Sequence, residues 1–126
     1  MSDVKFAAAL CGATLLMAAG HARAEGDIAR GEVHFQECAA CHKLDAGANG
    51  VGPSLHGIFE RKAGELADFR YSPALKRSGI AWSPQTLEAY VTDPQALVPG
   101  NRMPYAGMAD PQGRADLIAY LAKASK

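Results

Sequence analysis

Five consecutive residues constrain this chain more than anything else in it: Cys38-Ala39-Ala40-Cys41-His42. Two thiols three residues apart, with an imidazole directly after the second, form the attachment pattern of c-type haem. On one helical turn each sulfur can bond to one of the two haem vinyl groups, and His42 then lies under the iron with a neutral ring nitrogen to give it. A structural zinc site would need two more thiolate or imidazole ligands at a second short spacing. Past residue 24 the chain offers only His34 and His56 besides the motif. A thioredoxin-type dithiol would follow a strand in a βαβ unit, and no strand pattern precedes Cys38. A disulfide between residues three apart is strained. The cofactor expected is therefore one haem c, held by two thioethers from Cys38 and Cys41, with its iron on His42.

Ahead of the motif lies a stretch with a different composition. Lys5 precedes an apolar run from Phe6 to Ala19, and Ala22-Arg23-Ala24 closes it in an A-x-A pattern. This reads as a secretory signal peptide over residues 1–24, cleaved after Ala24 and delivering residues 25–126 to the periplasm. The run is short of the roughly 20 apolar residues that a membrane span needs. Cys11 falls inside it and is lost on cleavage, so both remaining thiols are used by the haem. The full chain balances 13 basic against 13 acidic residues. Losing Lys5, Arg23 and Asp3 leaves the mature chain with a single net negative charge, before any propionates are counted. That is not the footprint of a nucleic-acid-binding protein. A domain this small has a limited core, and a large buried cofactor supplies apolar interior that the chain lacks.

The mature chain reads as helical. Asp27 is a good N-cap for a helix from Ile28 to about Cys38, with Ile28 and Phe35 facing inward. Gly31 in mid-helix suggests that another backbone crosses there closely. His34 is read as a solvated helix residue. Residues 43–70 form a long Gly-rich stretch whose use is to wrap the haem. Within it Pro53 offers a carbonyl for the second ring N–H of His42, while His56 is read as structural. The second half repeats one device, a capping residue followed by proline: Ser72-Pro73, Ser83-Pro84, Asp93-Pro94 and Asp110-Pro111. Gly79 is a natural stop for the first of these helices. The last carries Leu117, Ile118 and Leu121 on one side and is the expected partner of the Gly31 face. No segment alternates with period two, so almost no sheet is expected.

The second axial position decides function. Met103 lies in Val98-Pro99-Gly100-Asn101-Arg102-Met103-Pro104-Tyr105, a loop stiffened by two prolines. Holding one thioether on a soft iron centre needs such a frame. Met108 follows Gly107 without flanking constraint and remains the alternative.

With these residues in view, the chain resembles a class I cytochrome c of the soluble bacterial type, similar to the mitochondrial protein. The resemblance is carried by Gly26-Asp27 with Gly31 and Phe35, the Cys38–His42 motif, and Gly52-Pro53-Ser54-Leu55-His56-Gly57. It continues through Arg61-Lys62-Ala63-Gly64, Phe69-Arg70-Tyr71-Ser72, Trp82, Leu87 and Tyr90. Pro99-Gly100-Asn101-Arg102-Met103 and Leu117-Ile118-Ala119-Tyr120-Leu121 complete it. The family implies an all-α fold of three to five helices with long loops around one covalently bound haem. It makes His42 and Met103 the axial ligands, with Pro53 accepting from His42. Arg61, Tyr71 and Trp82 fall at positions that meet the haem propionates, Tyr90 sits on the Met side, and Gly31 and Phe35 pack against Leu117 and Tyr120. Asn101 stands where many relatives carry threonine, which alters the distal hydrogen-bonding network. Gln36, Gln95 and Ala96 stand where mitochondrial relatives carry lysines, leaving Lys43, Lys76 and Arg102 for partner steering.

The function expected is a monomeric one-electron carrier, not an enzyme, in a respiratory or photosynthetic chain. It meets donor and acceptor redox proteins transiently at the haem edge, and membranes only through membrane-bound redox complexes. The alternative is a haem enzyme or gas-binding protein from which the Met ligand dissociates. No distal acid or base marks that reading. A redox subunit permanently docked to a larger complex is the third possibility.

Overall fold

Among the described residues, four of the five α-helices begin alike, with a side chain that accepts a free N–H and a proline that has none to leave unpaired. Ser72 accepts from Leu75 at 3.1 Å and opens α2 (Pro73–Arg77). Ser83 and Thr86 cap each other reciprocally at the start of α3 (Pro84–Thr92). Asp93 ends α3 and caps α4 (Pro94–Leu97) through the Ala96 N–H at 3.0 Å. Asp110 accepts from Gln112 and Gly113 to open α5 (Pro111–Ala124). The first helix, α1 (Ile28–Ala39), starts at Asp27, which accepts the Arg30 N–H at 2.8 Å. The computed structural model describes residues 25–126, so the leader expected over 1–24 lies outside the described residues. Gly79 takes a φ of +69° just past α2, as its position suggested. Among the described residues, extended pairing is confined to one antiparallel bridge, Lys62 with Ala81. No described helix is long and apolar enough to cross a membrane.

The frame is the crossing of α1 and α5. A methyl group on Gly31 would overlap the Asp116 carbonyl and stand 2.7 Å from the Tyr120 Cβ, so only glycine lets the two backbones approach this closely. Phe35 packs on Tyr120 with ring centroids 5.4 Å apart, and Leu117 and Leu121 are buried beside them. The expectation that Ile28 faces inward fails: it is 42 % exposed. It sits on the first turn of α1, where Gly26 meets Ala115 and Ala119, and Asp27 and Arg30 take Asp116. His34, read as a solvated residue, is half-buried against Gly113 at the start of α5.

A buried carboxylate closes this crossing. Asp116, 1 % exposed, accepts from the Asp27 N–H at 2.7 Å, Arg30 Nε at 2.7 Å and Gln112 Nε2 at 2.9 Å. The Arg30 guanidinium above all, and then the Asp27 N–H, hold the carboxyl well below the usual carboxylate range. Charge-assisted bonds of this kind make burying the charge tolerable.

The stretch between α1 and α2 is irregular but well bonded. Ser54, 2 % exposed, donates to the Asp45 carbonyl at 2.6 Å, and its N–H meets Asn49 Oδ1 at 2.9 Å. The Leu55 N–H returns to the Lys43 carbonyl at 2.8 Å. A 3-10 turn at Ile58–Glu60 follows. The loop thus folds onto itself and forms a wall.

Candidate haem site

The helical turn at the end of α1 arranges the motif. The Cys41 and His42 N–H groups both donate to the Cys38 carbonyl, at 3.0 and 2.9 Å. The chain then returns, with the Gly52 N–H donating to the Cys41 carbonyl at 2.9 Å. That return brings the Pro53 carbonyl to 2.7 Å from His42 Nδ1. A carbonyl only accepts, so Nδ1 carries the hydrogen and Nε2 keeps its lone pair. Burial holds the imidazole below its ordinary pKa, against the opposing pull of the Pro53 carbonyl, so the neutral form is favoured. Gly52 is the shelf for the ring: a methyl group there would come within 2.7 Å of Nδ1 and 2.9 Å of Nε2. Both cysteines are free thiols in the chain itself. Burial, aided by the Glu37 charge, pushes Cys38 up to about 11, so at neutral pH it is a thiol.

The facing loop is built differently. Asn101, 6 % exposed, donates from Nδ2 to the Pro94 and Val98 carbonyls at 2.8 and 2.9 Å, and its Oδ1 accepts the Met103 N–H at 2.9 Å. The side-chain amide is therefore spent on backbone, and Asn101 acts by positioning Met103. Gln95 adds a second clamp, donating to the Asn101 carbonyl at 3.0 Å and accepting the Gly100 N–H at 3.2 Å. Met108 is held by its N–H on the Val91 carbonyl at 2.8 Å, with its sulfur toward Gly113.

Both walls enclose one cavity of about 310 Å³. All ten residues singled out from the sequence line it: Cys38, Cys41, His42, Pro53, Arg61, Tyr71, Trp82, Tyr90, Asn101 and Met103. Met108, His34 and His56 do not. Leu55, Ile58, Leu75, Leu117 and Leu121 supply apolar surface. At one edge the Trp82 N–H donates to the Arg61 carbonyl at 2.9 Å, setting these two residues side by side. Arg61 Nη2 donates to the Ser54 carbonyl at 2.7 Å, but its buried Nε has no partner. Burial raises the Tyr71 pKa, and the nearby Arg61 charge opposes it. Tyr90, packed on Trp82 with the rings tilted at 59° and 5.2 Å between centroids, is pushed by burial up to about 12 and stays a neutral phenol.

These features fit haem c. Two thiols and a neutral imidazole share one wall, a thioether projects from a pinned loop, and the interior is apolar. The orphaned guanidinium nitrogen, beside a phenol and an indole, calls for an anion at that edge. Among the described residues no group of three or more His, Cys, Asp or Glu side chains could hold a metal ion, as zinc would require. Sequence reasoning quoted Gly52 only as part of a string and read Gln95 only as a residue standing where relatives carry lysine, not as a clamp on the loop. The signal for Gly52 was its place beside Pro53 in a chain that must pass under an imidazole.

The wider comparisons agree. The cytochrome c family model matches residues 28–125. Cytochrome c2 iso-2 of Magnetospirillum fulvum is 49 % identical over 87 residues, covering 69 % of this chain and 91 % of its own. Cytochrome c2 of Rhodomicrobium vannielii is 44 % identical over 115 residues, covering 90 % and 91 %. The solved structure of cytochrome cH from Methylobacterium extorquens superposes with a TM-score of 0.72 at 46 % identity, covering 77 % of this chain and 98 % of that one. The chain belongs to the cytochrome c family: it is an all-α electron carrier, not an enzyme, with covalently bound haem c as its cofactor and the motif cysteines Cys38 and Cys41 present.

Proposed function

We propose that this protein is a His/Met-ligated one-electron shuttle of the periplasm, released by cleavage after Ala24 and serving a respiratory or photosynthetic chain. When bound, haem supplies an iron that passes between ferric and ferrous states. The chain's residues set the terms of that exchange. Pro53 fixes the His42 tautomer and leaves Nε2 as the ligand atom. Met103 offers a neutral thioether, which favours the reduced state. Trp82, Tyr90, Leu117 and Leu121 keep water from the interior, and the Arg61 Nε, Tyr71 and Trp82 meet the propionate edge. With both ligands held by loops bonded to backbone, neither has to move when the charge changes.

The observation that carries the ligand assignment is that Met103 lines the same cavity as His42, whereas Met108 does not. Lys43, Lys76 and Arg102 are exposed and give only a thin positive field. Donor and acceptor proteins meet the monomer briefly near Cys38 and the exposed Val51, with weak steering.

The test is the absorption spectrum of the holoprotein, oxidised and reduced, with and without carbon monoxide. The expected spectrum is low-spin, with a Met–iron charge-transfer band and no carbon monoxide shift. In Met103→Ala the band disappears, carbon monoxide binds and the potential falls. Retention of the band in Met103→Ala would overturn the assignment, and a prompt carbon monoxide shift in the unaltered protein would favour the gas-binding reading.

A further inference from the structure

Met103 sits on an arc of chain with two anchored ends. Upstream, Asn101 and Gln95 bind it to α4. Downstream the fastening comes from α5. Arg114 Nη1 donates to the carbonyls of Met108 and Ala109, at 2.8 and 2.9 Å. Its side chain is only 13 % exposed, and its Nε lies 3.5 Å from the Glu88 carboxylate on α3, buried and outside hydrogen-bond geometry. The segment it holds is also stapled to the end of α3. Met108 bonds to the Val91 carbonyl, and Gly107, at φ +107°, lies so close to the Thr92 carbonyl that a Cβ would overlap it. Between the anchors run residues 102–106, whose backbone hydrogen bonding among the described residues is limited to Met103 with Asn101 and Tyr105 with Met103.

We propose that Arg114 is a positioning residue for the distal ligand: by fastening residues 108 and 109 to α3 and α5, it holds the arc closed and sets how readily the Met103 sulfur leaves the iron. This rests on the Met103 assignment above. The physical argument is one of loop entropy. A weak thioether bond competes with the freedom its loop gains on opening. Two bonds from a largely buried guanidinium keep that freedom low at one end, as Asn101 does at the other. Arg114 does not line the cavity, so its effect reaches the iron only through the arc.

The experiment measures imidazole binding to the ferric holoprotein, well below the melting temperature, in Arg114→Gln, Arg114→Lys and Arg30→Gln. Arg30→Gln is the control, since it removes a guanidinium that bonds α5 only at Asp116, two residues along from Arg114, and none of its bonds goes to the arc. Arg114→Gln is expected to bind imidazole about tenfold more tightly than the unaltered protein, the scale of one lost charge-assisted hydrogen bond. Arg114→Lys keeps a charge but not the forked pair of bonds, and is expected to fall between; it carries the test if the Gln variant does not load haem. Arg30→Gln should melt earlier and leave imidazole affinity unchanged. Equal affinities in the Arg114 variants and the unaltered protein would overturn the proposal, as would an equal gain in Arg30→Gln. Loss of the Met–iron band in Met103→Ala, measured alongside, separates failure of this latch from failure of the ligand assignment.

Discussion

The two walls of the haem cavity solve the same problem by different means. His42 is placed by short-range structure: a helical turn from Cys38, one return of chain at Gly52, and one carbonyl at Pro53, all within 15 residues of each other in sequence. Covalent attachment at Cys38 and Cys41 then fixes that wall to the cofactor. Met103 has no covalent tie. Its position comes from side chains on α4, on α5 and in the loop itself, each bonding to backbone. The difference teaches that the proposed proximal ligand is held by geometry and the proposed distal ligand by a sum of modest hydrogen bonds. Damage to the first should be all-or-none, and damage to the second graded.

The sharpest way to break the proximal side is to put a side chain on the shelf. Gly52→Val would drive carbon atoms into the imidazole, where even a methyl group would stand 2.7 Å from Nδ1. Overpacking of this kind costs about 3 kcal/mol or more when the neighbour cannot yield. His42 cannot yield, because it is tied to both Cys41 and Pro53. The yield of haem-loaded protein should collapse, and what forms should melt far below the unaltered protein. A variant with normal loading and an unchanged melting temperature would show that the shelf is softer than the geometry implies.

Asn101→Ala is the matching cut on the distal side, and smaller. It strips the Pro94 and Val98 carbonyls of a donor and the Met103 N–H of an acceptor, a loss of about 2 kcal/mol. Haem should still be attached and His42 still ligated. The Met–iron band should weaken and disappear on mild warming, before global unfolding seen by far-ultraviolet circular dichroism. If band and helix melt together, the distal loop is not an independent unit and the contrast between the walls fails.

This contrast also explains what could be read from the sequence. The proximal wall was legible because its parts are local and its motif is specific. The helix starts were legible for the same reason: a cap and a proline adjacent in sequence carry their own physics. Met103 was legible as a candidate from its flanking prolines, while its fastening was not. Arg114 and Gln95 look like ordinary surface polar residues until the fold brings α5 and α4 against the loop. Ile28 was misread because Gly26, Asp27 and Arg30, not Ile28, are the residues of that turn that meet α5, which leaves the isoleucine exposed. Asp116 escaped notice for the converse reason: a carboxylate between Gly113 and Leu117, on the buried side of the last helix, reads as a flaw in the stripe until Arg30 and the Asp27 N–H are seen to meet it.

That carboxylate offers the smallest perturbation of the two walls and hence a control for both. Its pKa is held below the ordinary value of 3.8. The folded state therefore refuses a proton that the unfolded chain accepts. The stability Asp116 contributes is complete at neutral pH and begins to fall below about pH 4, as the unfolded chain protonates. It continues to fall until the folded carboxyl itself takes up the proton. In Asp116→Asn this dependence is absent. The variant should be less stable at neutral pH, because Arg30 loses its charged partner, yet its stability should fall less steeply between about pH 4 and pH 2, by the uptake of one proton. Thermal melts at successive pH values measure that slope directly. The Asp116 side chain bonds to Asp27, Arg30 and Gln112 and to neither ligand loop, so in Asp116→Asn the Met–iron band should persist at neutral pH until the helices themselves unfold. Early loss of the band in this variant would mean that the seam and the distal loop are coupled, and that Met103 senses the whole scaffold instead of its own two anchors.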